Sequence, residues 1–168
     1  MYFHSSSKYY MNDDTDNQYN NLEKAENQAS ILKKEVESKT KDAHESLMFL
    51  ADHLKKKNNI DKDVYNSIST KQDETKAKIS SYISDFFKVN SNEDISMGDV
   101  ERSKYKSEKS ILEENIVLGE FVLNKLSENP KERNNHEKEL LEIARNKHHQ
   151  AINEYTAWAN SKQSIVKM

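Results

Sequence analysis

Apolar residues recur at alternating steps of three and four along much of the chain, the spacing of a helix that buries one face. In the first segment a step of four replaces one of three before Leu47, and Lys39 occupies one slot of the seam. Such an insertion locally relaxes a left-handed supercoil. The pattern predicts a first helix of about 40 residues, roughly 60 Å long, that ends at the lysines 55–57. Its N-terminal seam residues are Leu22, Ala25, Ala29, Leu32 and Val36.

The second segment keeps helical spacing from Ile60 to Val89, but its seam is weaker. Lys71, Gln72 and Asp73 interrupt the seam with polar side chains. We therefore expect this segment to kink, fray or meet a partner. Asp61 or Asn59 can cap its helix. Residues 90–99, rich in Asn, Ser and Asp, then form the clearest break in the chain.

The third and fourth segments are the most regular. Residues 116–123 leave little polar face, so the third helix, about residues 100–127, is expected to be buried from more than one side. Gly119 inside it costs roughly 1 kcal/mol relative to alanine, which indicates close approach of a neighbouring helix. The fourth helix keeps one register through Leu141, Ala144, His148, Ala151, Tyr155, Trp158, Lys162 and Ile165.

These segments predict an all-α fold, an elongated four-helix bundle made of two antiparallel coiled-coil hairpins. A flexible tail (1–15), a first hairpin (16–89), a linker (90–99) and a second hairpin (100–168) would form a single domain. With 2 glycines and 1 proline in 168 residues, the chain lacks the tight turns of a sheet protein. The first helix exceeds the second by about ten residues, so roughly 15 Å of its seam is expected to lack an intramolecular cover.

Composition excludes several classes of function. The chain has no cysteine, so disulfides, thiolate nucleophiles and cysteine-ligated zinc are excluded. Two glycines cannot build a glycine-rich phosphate loop. The net charge is −3 and the charges are interleaved, so we expect no nucleic-acid partner. The sequence has neither a long apolar run nor an apolar leader, which predicts a soluble protein without signal peptide or membrane insertion, cytoplasmic by default.

Histidine is the residue type best able to form a site in this chain. His148 occupies a seam position and His149 flanks it, so the two point about 100° apart and cannot chelate one ion. Glu132 and His136 lie one turn apart, but a second half of a metal site is not evident. The paired Glu-x-x-His motifs of di-iron bundles are absent. We expect packed histidines and no metal or cofactor.

The sequence favours a non-enzymatic structural or interaction protein that binds another helical protein or itself. A self-assembling component, an adaptor or chaperone, and a small inhibitor or effector remain alternatives. Candidate partner-binding residues are Leu22, Ala25, Ala29, Leu32 and Val36, together with Tyr155 and Trp158, for which core packing is the simpler interpretation. The alternative class is a ligand-binding or catalytic bundle with a site between the second and third helices, near the polar gap at residues 71–73.

Overall fold

A computed structural model describes residues 13–166 of the chain, and the surroundings of side chains from residue 20 to residue 165. The described residues form helices and no β-strand, which confirms the all-α class. The helices are α1 (Asp13–Lys56), α2 (Lys62–Asn90), α3 (Met97–Glu128), α4 (Asn135–Ser161) and the short α5 (Gln163–Val166). No helix in this part of the chain is long and apolar enough to cross a bilayer.

Helix ends follow local capping chemistry. Asn58 has a φ of 53°, a left-handed conformation that asparagine tolerates and that ends α1. Of the two predicted candidates, Asp61 rather than Asn59 caps α2, and it accepts hydrogen bonds from the backbone of Asp63 and Val64. Asn134 and Glu137 form a capping box at the start of α4.

Two predicted boundaries change. Ser96 accepts a hydrogen bond from the backbone nitrogen of Asp99 and starts α3 at Met97, so the connection between α2 and α3 is residues 91–96 rather than 90–99. Residues 13–15, assigned to the flexible tail, already belong to α1. The rest of that predicted tail, residues 1–12, lies outside the described residues.

Side-chain contacts establish the direction of each helix relative to α1. Tyr65 of α2 donates to Asp52 and Gln72 lies beside His44, so α1 and α2 run in opposite directions. Further pairs place α3 parallel and α4 antiparallel to α1: Glu35 with Lys104, Lys39 with Glu108, Lys39 with Trp158 and His53 with Glu137. Consecutive long helices therefore alternate in direction.

The helices do not separate into two independent pairs. α1 contacts all three other long helices, and the most extensive contact joins α2 to α3, which the sequence assigned to different hairpins. The division into two coiled-coil hairpins is therefore not confirmed.

The larger apolar cluster, here called the loop-end core, lies near the connections α1–α2 and α3–α4. All four long helices contribute to it. Apolar burial contributes about 25 cal/mol per Å², so this cluster is expected to be the main source of stability. Its buried members are Leu47, Leu50, Ala51, Leu54, Ile60, Ile68, Leu118, Val122, Leu123, Leu126, Leu141 and Ala144.

A hydrogen-bond network ties the two connections together at that end. The Asn129 side chain is buried, accepts from the backbone nitrogen of Asp61 at 2.9 Å and donates to the carbonyl of Asn59 at 3.0 Å. Asn59 in turn donates to the buried carboxylate of Glu137 at 3.0 Å. These bonds satisfy polar groups that would otherwise be costly to bury, and they hold the loop-end core closed.

The second cluster, here called the far core, is smaller. Leu32, Val36, Phe86, Ile111 and Leu112 are buried in it, and half-buried side chains that include Tyr155 and Trp158 pack against it.

Gly119 lies where α3 meets α4, as the sequence predicted. A Cβ atom built at this glycine would stand 2.5 Å from Nδ1 of the buried His148. His148 is held there by Glu120, whose Oε2 lies 3.0 Å from its Nε2. The glycine therefore makes room for an imidazole rather than for a neighbouring backbone.

Candidate protein-binding groove

The predicted seam of α1 is covered by this chain itself from Ala25 to Val36, so the expectation that this part lacks an intramolecular cover is wrong. Ala25, Leu32 and Val36 are buried, and Ala29 is half-buried. Leu22, with 45% of its surface exposed, is the one member of this predicted set that stays accessible. The cover comes from α3 and α4 as well as from α2, because side chains of all three pack in the far core.

Tyr155 and Trp158 are half-buried against side chains of the same chain. The Trp158 ring stacks on Tyr105 with a centroid distance of 5.3 Å, and the Lys39 ammonium lies 4.8 Å from its centre. The Tyr155 hydroxyl donates to Glu113 at 2.6 Å, and burial together with this carboxylate raises the pKa of Tyr155. These contacts account for both residues, and their role as partner anchors stays a prediction.

A partly buried ion pair lies beside this aromatic group. Glu108 is buried and pairs with Lys39, the lysine that interrupts the predicted α1 seam. The pairing explains why a lysine can occupy a seam position, since a carboxylate buried without a partner would be costly. Sequence periodicity marked Lys39 as an exception but could not identify Glu108, because the two residues lie on different helices.

A groove lies between α1 and α2. It encloses about 950 Å³. Its walls are residues 26–45 of α1 and 72–87 of α2, and its floor is formed by α3. The half-buried apolar side chains Ala29, Ile79, Ile83 and Phe87 form its accessible apolar surface, and the buried side chains Val36, Ile111 and Leu118 complete its lining. Ala29 belongs to the predicted partner-binding set, so the predicted surface and the groove overlap at this residue, whereas Val36 of the same set is buried.

The two walls of the groove differ in chemistry. On α1 the rim carries Lys33, Glu37, Lys41 and Glu45, charges of alternating sign at four-residue spacing. On α2 the rim carries the exposed serines Ser80 and Ser84. An apolar floor flanked by an alternating charge ladder is the arrangement that one helix presents to another in a coiled coil.

One end of the groove is polar, and this region is here called the His44 end. Nε2 of His44 lies 3.4 Å from Nε2 of the Gln72 side chain, which joins the two walls. Burial and the nearby Lys76 ammonium lower the pKa of His44, so its imidazole is neutral at pH 7, although Glu45 acts in the opposite direction. Asn115 on the floor donates to the Thr40 hydroxyl at 3.3 Å.

The histidine and carboxylate side chains of the described part of the chain were candidates for metal ligands. Within it, no group of three His, Asp or Glu side chains is arranged to hold an ion. His53 and His136 lie close, with ring centroids 5.9 Å apart, but the partner of His53 is the buried Glu137 at 3.6 Å.

Comparison with protein-family models, with curated proteins and with solved structures finds no match. The function therefore has to be inferred from this chain alone.

Sequence reasoning missed most of the α2 wall. The signal was present, because Ile79, Ile83 and Phe87 recur at four-residue steps with serines at positions 80 and 84 beside them. The same spacing is typical of a weak seam that a neighbouring helix covers. Only the fold shows that α1 leaves this face of α2 open to the groove.

Proposed function

We propose that this chain is a non-enzymatic helical interaction protein whose α1–α2 groove binds one amphipathic helix of a different protein. The observation that carries the proposal is the groove itself: an apolar channel bounded by two helices, floored by a third and edged by charges. Helix-in-groove recognition uses this combination. The α2 wall spans residues 72–87, which accommodates a partner helix of about 16–18 residues, or roughly 24–27 Å.

Charge complementarity narrows the identity of the partner. The ladder from Lys33 to Glu45 would pair with a helix that carries Glu and Lys alternately at four-residue spacing along one flank. Flanking charges of this kind select partner and alignment more than they add affinity. The serine rim of α2 would accept small or neutral residues on the other flank.

A different protein is a better occupant than a second copy of this chain. Each of the four long helices already buries apolar side chains inside the chain, which favours a helix from outside the chain as the occupant. The predicted pairing of α1 with α2 in a coiled coil is part of this proposal. A third helix, from the partner protein, would complete that coiled coil.

The test uses a matched pair of neighbouring serines. Ser80 and Ser81 are both exposed, but only Ser80 lines the groove. The probe is a fluorescent 18-residue peptide with a leucine and alanine seam and alternating Glu and Lys on one flank, and binding is measured by anisotropy. We expect Ser80→Trp to weaken binding by about tenfold or more because the indole fills the channel, and Ser81→Trp to leave binding unchanged.

Equal binding by wild type, Ser80→Trp and Ser81→Trp would contradict the groove as the binding surface. Sedimentation equilibrium of the same three proteins tests the second-copy alternative. A wild-type dimer that Ser80→Trp converts to a monomer would replace the external helix by another copy of this chain.

A second candidate function is small-molecule binding in the same groove. The observation that favours it is the set of polar side chains that line the groove: Thr40, His44, Gln72, Thr75 and Asn115. Ligand sites combine apolar walls with a few such groups and measure about 300–1,000 Å³. A small molecule released on denaturing wild-type protein, but not Ser80→Trp, would favour this function over helix binding.

A further inference from the structure

We infer that the groove binds its partner helix in one direction, with the carboxyl-terminal end of that helix at the His44 end. The inference rests on the proposed function and adds the polarity of the partner. Charged and hydrogen-bonding groups are distributed unequally along the groove.

The His44 end offers donors. Lys76 lines the groove there and forms no ion pair among the described residues. The second lysine at that end, Lys41, is paired with Glu45 at 3.7 Å, so the local excess charge is that of Lys76. The side-chain amide of Gln72, whose Nε2 lies 3.4 Å from Nε2 of His44, adds an uncharged hydrogen-bond donor at this end.

The opposite end of the groove offers an acceptor. Glu26 lines it, is exposed and forms no ion pair within the described part of the chain. Lys33 is the next charged residue on that wall, two turns further into the groove. An unpaired carboxylate at Glu26 therefore lies near one end of the groove and an unpaired ammonium at Lys76 near the other, with Lys33 and Glu37 between them.

A helix placed in this groove is itself polar. Its last turn has four carbonyl groups without intrahelical donors and a partial negative charge, and its first turn has four free N–H groups and a partial positive charge. Lys76 and Gln72 match the carbonyl end, and Glu26 matches the N–H end. The partner would thus run parallel to α1 and antiparallel to α2.

Cross-linking tests the direction, because the chain has no cysteine of its own. Gln72→Cys reports on the His44 end and Ser84→Cys on a site three turns away towards the Glu26 end. Gln72→Cys removes one of the donors, so this substitution cannot create the expected result. The probe is an 18-residue peptide with the same leucine and alanine seam, blocked termini and flanking charges whose order reads the same in both directions. It is made in two forms, with one pyridyl-disulfide-activated cysteine at either the first or the last position, and the control is Ser81→Cys.

We expect the peptide with the carboxyl-terminal cysteine to form a disulfide with Gln72→Cys about threefold or more faster than the other peptide does. At Ser84→Cys the preference should reverse. Equal rates, or the opposite preference at both positions, would overturn the direction while leaving the groove as a helix site. Rates at both positions no greater than at Ser81→Cys would overturn the proposed function and this inference with it.

Discussion

The loop-end core and the groove region are built from the same helices yet differ in how completely those helices meet. At the loop end, all four long helices pack around Leu50, Leu54, Val122 and Leu126. The buried Asn129 side chain there joins the α3–α4 connection to the α1–α2 connection through hydrogen bonds. Beyond His44 and Gln72, α1 and α2 line opposite sides of a groove whose floor belongs to α3. Stability is therefore concentrated at one end, and the surface suited to binding lies at the other.

The largest expected effect is a difference in the free energy of unfolding between two alanine variants, one in each region. Leu50 is fully buried in the loop-end core, so Leu50→Ala should cost about 2–5 kcal/mol through lost contacts and a cavity. Ile83 is half-buried on the groove wall, so Ile83→Ala should cost about 1 kcal/mol. Urea denaturation followed by circular dichroism measures both, and equal costs would mean that the two regions are packed alike.

A medium effect is expected at Gly119, on the boundary between the two regions. Gly119→Ala forces a Cβ atom against His148, an overpacking cost of about 1–3 kcal/mol, which exceeds the gain of about 1 kcal/mol in helix propensity. Gly98 is the matched control, since the nearest atoms to a Cβ there belong to the guanidinium of Arg102, the closest at 3.3 Å.

Thermal unfolding compares the two alanine variants with wild type. We expect Gly119→Ala to lower the melting temperature and Gly98→Ala to leave it unchanged or raise it. A Gly119→Ala protein as stable as wild type would show that His148 can move aside at no cost.

The smallest effect concerns His44 at the end of the groove. Burial and Lys76 lower its folded-state pKa below the unfolded value of 6.5, so the unfolded chain binds the proton first as the pH falls. Stability is therefore lost from about pH 6.5 downward. His44→Gln should lose less stability than wild type between about pH 7.5 and about pH 5.5.

Urea denaturation at the two pH values measures this difference. His149→Gln, which removes an exposed histidine of α4, controls for the loss of a histidine in general. Identical pH dependence in wild type and His44→Gln would contradict the stated effect of burial and Lys76.

Periodicity predicted the helices well because each seam is a local property of the chain. The steps of three and four identified Leu47, Leu54 and Leu141, and cap chemistry identified Asp61. The reason for Gly119 was also correct in kind, a close approach, although an imidazole rather than a backbone fills the space.

What the sequence could not predict is which helices share a seam. Counting residues in α1 and α2 gave an overhang, but α3 lies parallel to α1 and its Lys104 and Glu108 pair with Glu35 and Lys39. The upper seam of α1 is therefore covered from the side of α3 and α4. The groove lies where α1 and α2 face each other across a floor formed by α3.

Native-state hydrogen exchange along α2 tests the contrast between the two regions most directly, because this one helix takes part in both. The account predicts that amides near Ile68 exchange only with global unfolding, whereas amides of residues 79–87 exchange about tenfold or more faster through local opening. Saturation with the amphipathic peptide should then slow only the second set. Uniform protection along α2, or peptide protection that is equal at Ile68 and Ile83, would contradict it.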